Sequence, residues 1–314
     1  MANDRSRIPG SAPRGEASSA PADSSTRGVS PATRLAWKLG RHVFGVGAIM
    51  LGVSGLVWGE FATNWHPVQE TVPYRTALAY LAGTALLAAG VAVHWRRTAG
   101  AGLLVLAVLY FLGTLLWMPR VIHYPQLFGV WSGSAEEFAP AVAAVMAYAA
   151  SGKRWSGPAM GAARGVFGLC IVAFGVAHFT AVPQTAEMVP TWLPFGERFW
   201  ALATGWAMLL AGLSLMSGIL APLAAWLLTA LLMSFGVFVW APRVFTAPNA
   251  HNPWAGTGIT LAAAGAVWMV AEVLGKSTPA GTRSERVAAG RTSQEAPSAV
   301  HQPSAPPGAT TERC

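Results

Sequence analysis

Trp240-Ala241-Pro242-Arg243-Val244 decides the reading of this chain, because Trp117-Met118-Pro119-Arg120-Val121 spells W-x-P-R-V 123 residues earlier. The same offset carries Val43-Phe44-Gly45 onto Val166-Phe167-Gly168, Gly52 onto Gly175 and Trp131 onto Trp254. An offset of 122 carries Gly83 and Gly90 onto Gly205 and Gly212, so one residue is gained or lost between the two sets of anchors. Anchors held in register over so long a stretch imply a tandem duplication, and repeats have to be settled before a fold is assigned.

Composition says where such a repeat belongs. Of the 314 residues 53% are hydrophobic and 11% charged, with a mean hydropathy of +0.43. Soluble domains carry roughly 25% charged residues. The charge here lies in the two tails and between long apolar runs, which read as transmembrane helices. A net charge of +8 and a pI near 10.2 raise the question of nucleic acid. The bases flank apolar spans and form no patch with interleaved aromatics, so nucleic acid is not the expected partner. The partner that composition points to is the lipid bilayer. Of the two cysteines, Cys170 sits in an apolar run and Cys314 ends the chain; neither has metal-ligand spacing.

The expected fold class is all-α: a polytopic membrane protein of eight helices, built as two parallel four-helix repeats. Residues 1–35 and 277–314 are rich in Ser, Pro, Ala, Gly and Arg and read as disordered tails, too poor in apolar surface to offset ordering entropy. The first repeat takes 36–152, with spans at about 39–59, 76–94, 101–118 and 133–151. The second takes 153–276, with spans at about 165–182, 199–217, 220–240 and 254–275. Lys and Arg set the orientation. One side holds Arg34, Lys38, Arg41, Arg96, Arg97, Lys153, Arg154, Arg164, Lys276 and Arg283, the other only Arg75, Arg120, Arg198 and Arg243. Both tails are therefore expected in the cytoplasm. Four spans per repeat make the copies enter the membrane in the same direction, about an axis along its normal. Both W-x-P-R-V segments then fall on the outer face.

Candidate chemistry gathers at that face. Arg120 and Arg243 each follow a proline expected to end the third helix of its copy. Each reads either as an interfacial arginine or as a fixed cation at the mouth of an intramembrane cavity. The copies differ where chemistry would lie: Gly55 stands opposite His178, Glu60 opposite Pro183, and Glu136-Glu137 opposite Ile259-Thr260. The fourth span reaches a useful length only with Glu136 and Glu137 at its outer end, where a charge has to be paired or wet. The candidate polar cluster is thus Glu60, Arg120, Glu137, His178 and Arg243, against the alternative of separate interfacial residues. His178 has the intrinsic pKa range of a proton carrier. His123 and His251 lie in corresponding outer loops. Trp192 and Trp240 are candidate aromatic walls of a ligand pocket, within a tryptophan set that otherwise reads as an interfacial belt. Gly52, Gly55 and Gly59 line one side of the first helix, as close helix packing requires. No His-x-x-x-His or Cys-x-x-Cys pair supports a metal or haem site, and neither a G-x-S-x-G elbow nor a P-loop is present.

The second copy resembles a known family. Gly175-Val176-Ala177-His178-Phe179, then Val189-Pro190-Thr191-Trp192-Leu193-Pro194, then Phe199-Trp200 and Gly205 are similar to the helix end, loop and helix start of DoxX-like bacterial membrane proteins. Pro242-Arg243 and the glycines of the last span (Gly256, Gly258, Gly265) fit as well. The first copy departs: Gly55 replaces the histidine, and Val72-Pro73 keeps a trace of the tryptophan–proline loop. Trp58-Gly59-Glu60-Phe61 with Trp65-His66-Pro67 looks like a diverged variant. The resemblance implies a protein of the bacterial cytoplasmic membrane, serving as membrane subunit or accessory of a quinone-linked redox process. Quinone is the cofactor and a redox enzyme the partner that it implies. A small-solute or lipophilic-ligand transporter or binder, and a scaffold without chemistry, stand as alternatives.

Overall fold

The computed structural model describes residues 39–152, 155 and 157–276; both predicted tails and the Lys153-Arg154 pair lie outside them. The described residues are mostly helical, and among them there is no strand. Their long helices are α1 (Leu39–Trp58), α2 (Arg75–Ala92), α3 (Ala99–His123), α4 (Phe128–Gly152), α5 (Gly157–Thr180), α7 (Glu197–Ser217), α8 (Ala221–Phe235) and α10 (His251–Lys276). The short α6 (Val182–Ala186) lies in the α5–α7 connection. A π turn (Gly236–Trp240) and the short α9 (Ala241–Thr246) prolong α8.

Seven segments are long and apolar enough to cross a membrane: α1, α2, α3, α5, α7, α8 with its continuation to Thr246, and α10. This is the build of a multi-pass membrane protein. α4 is not among the seven. Its 25 residues are long enough, but it carries Glu136 and Glu137 and its buried positions are largely small: Ala139, Ala141, Ala143, Ala144 and Ala149. α4 packs on α3, α5 and α10, while α10 packs on α1, α8 and α4. These two helices therefore form the centre, where polar side chains meet protein before they meet lipid.

Matching contacts recur between the halves. An added Cβ on Gly45 would lie 2.8 Å from the Gly90 carbonyl oxygen, and one on Gly168 would lie 2.8 Å from that of Gly212. The pairs α1–α2 and α5–α7 thus approach backbone to backbone at equivalent glycines. In a helix interior each glycine costs about 1 kcal/mol against alanine, which close packing offsets where lipid supplies no net hydrophobic drive. The Trp117 and Trp240 rings fill the space where Gly133 and Gly256 lack a side chain. The Trp131 indole donates to Pro125 O at 3.0 Å and the Trp254 indole to Pro248 O at 2.9 Å. The halves differ at their outer seams. α1 meets α10 through Gly47, Gly258 and Gly265, whose added Cβ atoms would strike the opposing backbone. The equivalent positions on α5 and α4 are Cys170, Ala135 and Val142.

Three expectations need correction. Pro119 does not end its helix, since α3 continues to His123 and closes with Tyr124 N–H donating to Arg120 O at 2.9 Å. Pro242 likewise begins a further turn, α9. Its ring would crowd the carbonyl of Phe238 four residues earlier, and Phe238 lies in the π turn, where the backbone ring is already widened. α4 starts at Phe128, so Glu136 and Glu137 sit more than two turns inside it and not at its end. Gly218 (φ 83) terminates α7 in the left-handed conformation before α8 begins at Ala221.

Candidate functional site

The helix ends carrying the two W-x-P-R-V segments are joined through Trp65 of the α1–α2 loop, by its main-chain carbonyl on one side and its ring on the other. The Trp117 indole donates to Trp65 O at 2.8 Å, and the Trp65 ring meets Trp240 edge-on with centroids 5.6 Å apart. Both segments therefore lie at the same end of the bundle. At that end each half encloses a cavity.

The first cavity, of about 630 Å³, is lined by α1, α2, α3 and the α1–α2 loop. The second, of about 500 Å³, is lined mainly by α5, α7 and α8 with the α5–α7 connection. Their walls correspond. Leu51, Gly55 and Pro67 of the first stand 123 residues before Phe174, His178 and Pro190 of the second; Leu78, Ala82 and Leu86 stand 122 before Trp200, Thr204 and Met208. The counterpart of Val189-Pro190 is accordingly His66-Pro67, not Val72-Pro73.

Glu60 and Arg120 line the first cavity, the Arg120 guanidinium lying 5.4 Å from the Trp117 ring centroid. Glu137, wholly buried, lies just behind that lining, against Gly113 and His66. A Cβ on Gly113, which lines the cavity, would lie 2.6 Å from Glu137 Oε2, so only glycine at 113 leaves room for the carboxylate. Its charge partner is His66, with Nε2 3.5 Å from Oε1. Burial alone would lower the His66 imidazole. The Glu137 carboxylate, seconded by Glu136, outweighs that and holds its pKa above the ordinary histidine value. Glu136, the next residue, faces the other way, as neighbours about 100° apart on a helix do. It lines the second cavity and accepts the Trp65 indole N–H at 3.1 Å. α4 thus stands between the cavities, with Glu136 in the wall of the second and Glu137 behind Gly113 and His66 of the first.

His178 lines the second cavity with Trp240. Its Nδ1 is 3.0 Å from Ala201 O and 3.1 Å from Thr204 Oγ1, and the Thr204 hydroxyl donates to Trp200 O at 2.8 Å. Carbonyl Ala201 O can only accept, so Nδ1 carries the proton and Nε2 is left as an acceptor. Arg243 lines neither cavity: it lies 5.3 Å from the Trp240 ring centroid and donates to Glu187 O at 3.4 Å. Trp192 is exposed, and touches the second cavity only through Phe238, edge-on at 5.7 Å. His123 bonds to Pro119 O at 2.6 Å on the exposed end of α3. His251 opens α10, stacks on Trp58 at 5.2 Å and lines the first cavity.

The five polar candidates do not form one cluster. Glu60 and Arg120 line the first cavity with Glu137 behind its wall, His178 lines the second, and Arg243 lines neither. Sequence reasoning missed His66, Tyr110 and Trp65 as site residues. The offset of Pro67 to Pro190 was the signal for His66; nothing marked Tyr110, one apolar-looking position within α3. No protein-family model, curated protein or solved structure matches the chain.

Proposed function

We propose that this chain is a duplicated protein of the bacterial cytoplasmic membrane: eight spanning helices, two like-oriented four-helix halves, both termini on the basic, cytoplasmic side. The matched glycine pairs, tryptophan hydrogen bonds and cavity walls support duplication. α4 counts as the eighth span because it occupies in its half the place that α10 occupies in the other.

Within that frame, the second cavity holds the headgroup of a lipophilic quinone-class compound, and the protein serves a quinone-linked redox process as its membrane component. The resemblance of residues 165–275 to DoxX-like proteins motivates the class. The observation that carries it to a site is the fixed tautomer of His178. With Nδ1–H committed to Ala201 O, Nε2 accepts, and the Glu136 carboxylate on the opposite wall accepts too. Trp200, Trp240 and Phe235 supply aromatic walls, and such a slot suits a flat ring. Two acceptors favour a ring bearing hydroxyls, so the quinol form binds more tightly than the quinone. The test is titration of the full chain in lipid nanodiscs with decylubiquinol and decylubiquinone. Saturable binding that prefers the quinol and weakens about tenfold in His178→Ala, as the loss of one good hydrogen bond predicts, supports the reading. Quinol uptake equal to that of empty discs, or unchanged in the variant, contradicts it.

A further inference from the structure

Six buried side-chain nitrogen and oxygen atoms among the described residues have no hydrogen-bond partner: two of them, the Tyr110 hydroxyl and Nε2 of His251, belong to residues lining the first cavity, and two more, the oxygens of Glu137, lie just behind its wall against Gly113 and His66. None of the six belongs to a residue of the second cavity. Buried polar atoms are nearly always paired, and each one left open costs roughly 1–3 kcal/mol. Two in one wall, with a carboxylate just behind it, call for an occupant.

The unmet demand is for donors. An ionised carboxylate only accepts, His66 already turns Nε2 toward Glu137, and a second carboxylate, Glu60, stands in the lining. An ammonium group supplies three donors and a positive charge. The rest of the wall, including Leu86, Leu109 and Leu112, is apolar and fits an alkyl tail. We infer that the first cavity binds an amphiphile bearing a primary ammonium group, whose N–H donors turn to Glu137 and Tyr110 while its tail lies among the leucines. This site is separate from the second cavity and does not rest on the reading given for it. The second half has no such site: Ile259-Thr260 replace the two acids, and Met233 stands where the first half has Tyr110.

Free amines and aminophospholipid headgroups both carry this group. The full chain in phosphatidylcholine nanodiscs is titrated with dodecylamine or dodecanol, and bound molecules are counted by native mass spectrometry. One saturably bound dodecylamine is expected, weakened about tenfold in Glu137→Gln as a charged hydrogen bond becomes a neutral one. Phosphatidylethanolamine retained by the unaltered chain and lost from Glu137→Gln supports the same site with a lipid headgroup as donor. If Glu137→Gln does not fold, Tyr110→Phe, which keeps the carboxylate, carries the test through a severalfold loss. Dodecanol binding as well as the amine, uptake equal to that of empty discs, or affinity unchanged in both variants would overturn the inference, the last two leaving water as the occupant. Quinol binding on the same samples fails or succeeds independently.

Discussion

The two cavities share a frame and differ in what they offer. Leu78 and Trp200, Leu86 and Met208, Pro67 and Pro190 take equivalent places, yet one cavity is backed by a buried carboxylate–imidazole pair and the other holds a histidine with a fixed proton across from Glu136. The exchange is reciprocal. Where the second half has His178 the first has Gly55, and where the first has Glu137 the second has Thr260. The backbone follows: Gly113 lies against Glu137 in a regular helix, whereas its counterpart Gly236 has only Thr260 Cγ2 at 3.9 Å and begins a π turn. The glycine and tryptophan contacts that build each half recur, while the cavity linings differ.

Substitutions at matched positions break or sharpen that comparison. The largest difference is expected at the seams. Gly265→Leu drives a side chain into the Phe44 backbone, and its cost exceeds the 1–3 kcal/mol typical of overpacking, with loss of folded protein on size exclusion. The equivalent Val142→Leu, at a half-buried position, remains folded. Next comes the acid. Glu137→Ala leaves His66 without its partner and lowers stability by about 3 kcal/mol, as breaking a buried pair does. Thr260→Ala costs about 1 kcal/mol or less. Thermal unfolding in one detergent compares them.

The His66–Glu137 pair also predicts a pH dependence. The folded state holds His66 above its ordinary value, so its contribution is fully present below about pH 6.5, the unfolded value. It is lost as pH rises through the folded value. The melting temperature of the unaltered chain should fall over that alkaline window, and His66→Gln should flatten the fall. A fall of equal size in the variant would assign it elsewhere. The smallest effects belong to the motif that revealed the repeat. Arg120→Ala and Arg243→Ala each remove a guanidinium resting on a tryptophan, worth about 0.5–1 kcal/mol at an exposed site, and should cost the same within error.

The recurring positions were legible because tryptophan, proline and glycine mark them, residues whose geometry few others can replace. Helix positions were legible from apolar runs, and span limits shifted mainly where a proline was given too much authority: Pro119 and Pro242 lie within continuing helical backbone. The site was less legible. Glu137 and His178 stand out in one dimension because charge and imidazole are rare in apolar runs, but their grouping does not follow from spacing. Neighbouring Glu136 and Glu137 face different cavities, a consequence of helical rotation that depends on where α4 begins, and Phe128 gives no capping signal. His66 was hidden because its loop folds inward behind Trp65, a tertiary feature written nowhere locally.

The central claim, that the halves are alike and enter the membrane in the same direction, is tested most directly by thiol accessibility. His123→Cys and Thr246→Cys, placed at equivalent helix ends in a chain whose Cys170 and Cys314 are replaced by serine, are exposed to a membrane-impermeant maleimide in sealed right-side-out vesicles. The account predicts that both positions label from outside. Labelling of one only after the vesicles are opened would contradict it.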